Sequence, residues 1–341
     1  MRLVYILTDE KRYSPNRIGG GESYIRRLLH VSEYCDIKFN IILISSSDTY
    51  LEQTKHKNHL TFGNANEAIK YVKNGNFPVI LFNLGWRTKL KFIFYQNVYL
   101  LNLFYPKNWY VYSGRRIELI LMNYRGIFVP SIKLKKMFEK VVNNVLYLPP
   151  IVTEHFVPKG KHRPEKFGFI GRLDLRKGIL QVLSALKKGI IDDVKISYIK
   201  HQYDPGVLLL EKELLRIGGN FREVNQQSYS IKVESELIDE LNEIQIFLQS
   251  YESLDSTVDM PLLILEALAC GCSVVTNIEF EELNHPQLLI DFNGIKHSNL
   301  ASNKIQSGVL RSKSSKAIHD KFNILAARDR IMEFFDEKNI S

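Results

Sequence analysis

Glu266 is the one charged group in the run PLLILEALACG (261–271), and its neighbours Leu262, Leu263, Leu265 and Leu268 are core-like. A buried ionised carboxylate is costly unless it is hydrogen-bonded or paired. A pair of ligand hydroxyls, such as a ribose diol, would satisfy it, and so would an internal Arg or Lys. Just upstream, Asp259 and Pro261 fit a helix start, with Asp259 as the N-cap. A second group lies in FIGRLDLRKG (169–178), where Arg172, Arg176 and Lys177 fall between a strand end and a helix start. Fixed cations in that place can neutralise a diphosphate without a metal, although any one of them alone reads as a solvated turn. A third is IGGGESYIRRLL (18–29), three glycines at a helix N-terminus, where free amides and the helix dipole favour an anion. The alternative is a plain turn before a helix. A dinucleotide fingerprint is disfavoured, because its glycines are spaced and follow the strand directly.

The elements that must position these residues alternate along the chain. LVYIL (3–7), NIILISS (40–46), FPVILFNL (77–84), KFIFYQN (91–97), GIFVPS (126–131) and NVLYLPP (144–150) have buried-strand length and composition. The helical pattern ESYIRRLLHVSEY separates the first two. A polar stretch, TEHFVPKGKHRPEK (153–166), marks a domain boundary. The rhythm then restarts with FGFIGRL, VKISYIK, IQIFLQS and SVVTN as strands between helical patterns. Alternation in both halves implies two doubly wound parallel sheets, with ligands at the carboxyl ends of their strands. The domains expected are 1–152, 153–317 and a C-terminal helix, 318–341, closing the second domain or packing back on the first. RSKSSK (311–316) reads as a solvated loop.

The chain has 341 residues, 45% of them hydrophobic, enough for two cores. No run is long and apolar enough for a membrane span, and MRLVYILTDEK reads as a first strand rather than a signal peptide. Three cysteines (Cys35, Cys270, Cys272) without metal-ligand spacing suit a reducing, cytoplasmic setting. Charge is uneven: residues 1–150 hold 22 Lys+Arg against 10 Asp+Glu, whereas the remainder hold 24 against 27. A basic first half suggests an anionic partner, such as a membrane surface or a phosphorylated acceptor, or simply a basic proteome. The segment 86–116 interleaves aromatics with Lys and Arg. Most of these aromatics read as core strand residues, while the same types would also suit a peripheral membrane surface. No nucleic-acid recognition motif is present, and no Asp-x-Asp pair implies a divalent metal.

GGGES, VPSIKLKKMF…NVLYLPPIVTEHFVP, FIGRLDLRKG and IQIFLQSYES…PLLILEALACGCSVVTN together resemble the retaining GT-B glycosyltransferases of family 4, the group 1 glycosyl transferases. The resemblance implies two Rossmann-like domains facing each other across a cleft, and a nucleoside-diphosphate sugar as donor with no cofactor. Arg172 and Lys177 would hold the diphosphate and stabilise the leaving group, and Glu266 would take the ribose hydroxyls beside Pro261 and Leu262. Gly20 and Gly21 would lie near the phosphates. The sugar would pass to a glycan, lipid-linked or protein-linked acceptor. Two departures stand out. Val258 occupies the position of the family's first glutamate, so Glu252, Asp255 or, preferred here, Asp259 would reach the sugar instead. The usual N-terminal-domain histidine is absent, and Gln96 or Asn97 in FYQNVYL takes the matching place. These departures keep open a binding subunit without catalysis; a nucleotide-sugar epimerase is the third reading.

Overall fold

The computed structural model describes residues 2–10, 19–45, 59–106, 109–160, 165–173, 178–191, 194–199, 205–217, 220–223, 231–249, 251, 258–276, 280–283, 289–290 and 308–337. The chain forms two units. The first comprises Met1–Ile151, Thr257–Met260 and Ile324–Ser341, and the second comprises Val152–Ser256 and Pro261–Asn323.

In the first unit, strands β1 (Arg2–Asp9), β2 (Ile37–Ile44), β3 (His59–Phe62), β4 (Val79–Phe82), β5 (Val98–Leu101), β6 (Gly126–Val129) and β7 (Val145–Tyr147) form one parallel sheet. Its order, β3-β2-β1-β4-β5-β6-β7, reverses direction at β1, the switch point of a doubly wound fold. Period two along β1 sends Val4 and Ile6 to one face and Tyr5 and Leu7 to the other, and both faces are covered. Helix α1 (Gly20–Val31) puts Tyr24, Ile25 and Leu28 on the first face. Helices α2 (Ala65–Asn74), α4 (Trp109–Met122) and α5 (Ile132–Phe138) supply Val72, Leu119 and Phe138 to the second, with the short α3 (Trp86–Leu90) between β4 and β5. Side-chain caps fix two of these starts: Asn64 accepts from the amides of Asn66 and Glu67 at 3.0 and 3.1 Å, and Ser131 accepts from that of Leu134 at 3.0 Å.

The second unit repeats the plan with β8 (Glu165–Arg172), β9 (Val194–Ile199), β10 (Asn220–Glu223), β11 (Ile244–Leu248), β12 (Ser273–Val275) and β13 (Leu289–Ile290), in the order β10-β9-β8-β11-β12-β13. Helices α6 (Ile179–Lys187), α7 (Pro205–Ile217), α8 (Ile231–Glu243), α9 (Leu262–Ala269) and α10 (Gly308–Phe322) complete it. The last helix, α11 (Ile324–Glu337), belongs to the first unit. There Phe334 and Phe335 pack edge-on to Tyr99, with ring centroids 6.0 and 5.3 Å away. Arg2 donates to the Phe335 carbonyl at 3.0 Å.

Three sequence expectations change. Residues 91–97 are not a strand: the amides of Phe92, Ile93 and Tyr95 bond three residues back, a run of helical turns after α3. Phe92 is fully buried and Phe94 is 93% exposed, which a strand with both on one face could not give. The segment 311–316 is not a loop but part of α10, with Ser314 and Ser315 buried. The C-terminal stretch from 318 is two helices, divided between the units at Asn323.

Candidate functional site

In each unit the carboxyl ends of the strands are where loops and helix N-termini converge, so the site residues are placed against that edge. In the second unit Arg172 ends β8, paired in register with Ile199 and half-buried. Lys177 and Arg176, like Glu252 and Asp255, lie outside the described residues. Helix α6 opens at Gly178, whose φ of 84° is left-handed and suits glycine alone among ordinary choices. The N-cap glycine has no side chain with which to cap this start, and helix N-terminal amides favour an anion.

Helix α9 joins β11 to β12 and so begins at the same edge. Pro261 is its N-cap, with no side-chain cap bond, and Leu262 is its first residue. Glu266 follows one turn later and is 4% exposed, with Ile264, Leu265, Ala267 and Leu268 all buried around it. The helix is apolar on every side, as a helix inside a covered α/β layer must be. It stops at Gly271, φ 78°. Two polar residues that sequence reasoning missed share the edge: Gln249 after β11 and Thr276 after β12, both buried. The Gln249 amide donates to the Val275 carbonyl at 2.9 Å.

In the first unit Gly20 and Gly21 open α1, where Gly19 is an extended N-cap without a side-chain bond. Packing is tight at Gly20, where a Cβ would come within 3.1 Å of Val258 Cγ2, whereas one at Gly21 would make an ordinary 3.4 Å contact with Phe82. Val258 is therefore a core residue of the first unit, 2% exposed. Asp259 is equally buried at 2%. Its amide donates to the Leu103 carbonyl at 2.8 Å, and Oδ2 accepts from the Ser131 hydroxyl. Oδ1 is buried with no hydrogen-bond partner. Burial pushes this carboxyl above the usual range, against the Ser131 bond and the Lys133 charge, which pull it down. Asp259 is thus not the N-cap of α9, because that position is Pro261, two residues later, and the carboxylate is already held by Ser131 beyond the end of β6.

Gln96 and Asn97 are a correction. Asn97 precedes β5, accepts from the Val79 amide at 2.9 Å and from Arg125 at 2.9 Å, and donates to Asn76 at 3.2 Å. That is the amino edge of the parallel sheet, away from Gly20 and Asp259, and Gln96 beside it is exposed. The misread strand at 91–97 caused the error. The residue that follows β5 at the carboxyl edge is Asn102, which is buried and donates to the Phe104 carbonyl at 2.9 Å. Among the described residues, no group of three or more His, Cys, Asp or Glu is arranged to hold a metal ion.

Solved structures share this architecture over the whole chain. Sucrose-phosphate synthase from Thermosynechococcus elongatus superposes over 100% of both chains at 14% identity, with a TM-score of 0.74. Anabaena HepE in complex with UDP-glucose covers 99% of this chain and 100% of its own at 12% identity, with a TM-score of 0.71. These neighbours are GT-B glycosyltransferases. The fold is GT-B. A TarM variant from S. aureus, in complex with fondaparinux, alpha-GlcNAc-glycerol and UDP, matches this GT-B chain over 98% of its length and 100% of its own, at 12% identity and a TM-score of 0.71. No protein-family model and no curated protein matches the sequence.

Proposed function

We propose that the protein is a retaining, metal-independent glycosyltransferase that moves a sugar from a nucleoside-diphosphate sugar to an acceptor hydroxyl on a glycan, lipid or protein. The observation that carries this reading is Glu266, a buried carboxylate one turn into α9 at the carboxyl edge of a GT-B second unit. A carboxylate has two oxygens and can accept from both hydroxyls of a ribose diol. On this reading Arg172 and Lys177 bind the diphosphate, aided by the N-terminal amides of α6. UDP and UDP-glucose, bound by TarM and HepE, are the donor chemistry this reading extends to the chain.

In the transfer, the acceptor oxygen bonds to the anomeric carbon on the face from which the diphosphate leaves. The bond to the diphosphate oxygen breaks, and that oxygen takes the acceptor's proton. No side-chain base is required, consistent with a site lacking the family's histidine; Arg172 and Lys177 stabilise the charge left on the diphosphate. Asp259 offers Oδ1 to a substrate hydroxyl. A buried oxygen without a partner costs about 1–3 kcal/mol, and such a cost is retained where it serves a site.

One observation favours a second reading, donor binding without turnover: Val258 fills the first unit's core where the family places a glutamate. Thermal shift against UDP-, GDP- and dTDP-sugars tests the shared part. A matching donor at a hundredfold above its Kd stabilises by about 2.7 kcal/mol, and Glu266→Gln weakens it by about tenfold or more, because an amide accepts from one hydroxyl rather than two. Binding unaffected by Glu266→Gln removes the ribose assignment. Binding without transfer to any acceptor selects the second reading.

A further inference from the structure

The longest helix of the first unit before β7 turns its apolar side outward. On α4, Tyr110 is 79% exposed, Ile117 56%, Ile120 67% and Leu121 48%. Residues 110, 117 and 121 repeat at the helical spacing of one face. The helix has a single acidic residue, Glu118, and that one points inward, 7% exposed. There it accepts from Lys89 at 2.9 Å, from Arg115 at 2.8 Å and from the Tyr124 hydroxyl at 2.9 Å. The exposed charge on α4 is Arg116, positioned over the Tyr112 ring at 5.7 Å. The Lys89 bond ties α3 to α4, and around α3 Trp86 is 44% exposed and Phe94 93%.

We propose that this face of α4 seats the protein on an anionic lipid bilayer. An apolar helix face carrying basic and no acidic side chains matches an interface in which alkyl groups enter the acyl boundary and cations meet headgroups. A protein-binding face has a polar rim that pairs charges of both signs, which the exposed residues of α4 lack. A second copy of the chain would bring two strongly basic halves together, 22 Lys+Arg against 10 Asp+Glu in each. The buried Glu118 cluster serves this arrangement by removing the helix's one carboxylate from the surface and fixing α4 to α3. The assignment is independent of the transferase reading, since it concerns the face of one helix and is measured without donor.

Vesicle flotation tests it, with phosphatidylcholine alone and with about 30% phosphatidylglycerol added to give a negative surface. The full chain floats with the anionic vesicles, less so as salt rises, and weakly or not at all with the neutral ones. Arg116→Gln binds about fivefold more weakly, the worth of one basic residue at such a surface. Ile117→Glu/Leu121→Glu abolishes flotation while its melting temperature and donor binding stay those of the wild type. Brominated lipids quench the wild-type tryptophan emission, a readout that needs no variant. Absence of both flotation and quenching at low salt overturns the proposal. So does an Ile117→Glu/Leu121→Glu protein that floats as well as the wild type. A concentration-dependent dimer that the same variant dissolves, with no vesicle binding, would instead make this face a self-interface.

Discussion

Replacing Asp259 with asparagine separates what this residue does for the fold from what it does for the reaction. The carboxylate is 2% exposed, Oδ2 is held by Ser131, and Oδ1 has no partner. Asparagine keeps the shape, and its oxygen can still accept from Ser131. The change removes a buried negative charge but puts an amide nitrogen, also without a partner, in the place of Oδ1, so the gain is the charge's desolvation alone, about 1–3 kcal/mol. For a domain of this size that is about 2–4 °C for each kcal/mol. The pH dependence has a definite sign. Burial raises the folded-state pKa of Asp259, with Ser131 and Lys133 opposing. The wild type therefore has full stability from this group below the ordinary aspartate range and loses it as pH rises through the raised value. Asp259→Asn should come closest to the wild type near about pH 3, below the ordinary aspartate range, and exceed it near about pH 8. The assay is thermal unfolding of both proteins across that range, followed by a transfer assay on the same samples. More stability with less transfer is the expected pair. A variant less stable than the wild type at the higher pH would refute the cost of the buried charge, and one with undiminished transfer would remove Asp259 from the substrate.

Glu118→Leu should cost about 3–5 kcal/mol in denaturant unfolding, because it leaves Lys89 buried without its carboxylate. Adding Lys89→Met should recover much of that loss, and a double variant as unstable as the single would show the pair is uncoupled. Burial raises the Glu118 carboxyl, but Arg115, Lys89 and Tyr124 outweigh it and hold the group below its usual range. Its stabilisation is therefore present above the unfolded carboxylate range and lost as pH falls through the lowered value, a slope Glu118→Leu should lack. Val258→Glu should forfeit about 1.5–3 kcal/mol of apolar burial and add an unpaired carboxylate facing Gly20. Poor folding with no gain in activity is expected; a soluble, more active protein would mean the side chain reaches solvent or substrate. Gly271→Ala should destabilise by about 1–2 kcal/mol, since φ is 78° there, and an unchanged melting temperature would contradict that geometry.

What could be read from the chain follows from how local each signal is. Two doubly wound sheets were legible because buried parallel strands are short apolar runs and their helices carry a different period, as in LVYIL and ESYIRRLL. The burial of Glu266 was legible from its neighbours alone. Residues 91–97 misled because Phe92 and Phe94 sit two apart like strand residues, although hydrogen bonds three residues back make the segment helical. That error carried Gln96 and Asn97 to the wrong edge. Helix α4 was hidden for a related reason: its aromatics and aliphatics look like core, and only the three-dimensional packing shows which of them face outward. Gln249 and Thr276 have no local mark, since each is one polar residue after an apolar strand and gains meaning when β11 and β12 are neighbours. The Val258–Asp259 segment could not be assigned to the first unit from sequence, because its partners Gly20, Leu103 and Ser131 are remote along the chain.

Proton NMR of the transfer product tests the central claim most directly. Purified protein is given the nucleoside-diphosphate sugar that stabilises it, with a panel of glycan, lipid and peptide acceptors. The account predicts a new glycoside whose anomeric configuration is that of the donor, formed in chelator as well as in buffer, and lost with Arg172→Ala. An inverted product, transfer abolished by chelator, or donor that binds yet is passed to no acceptor would contradict it.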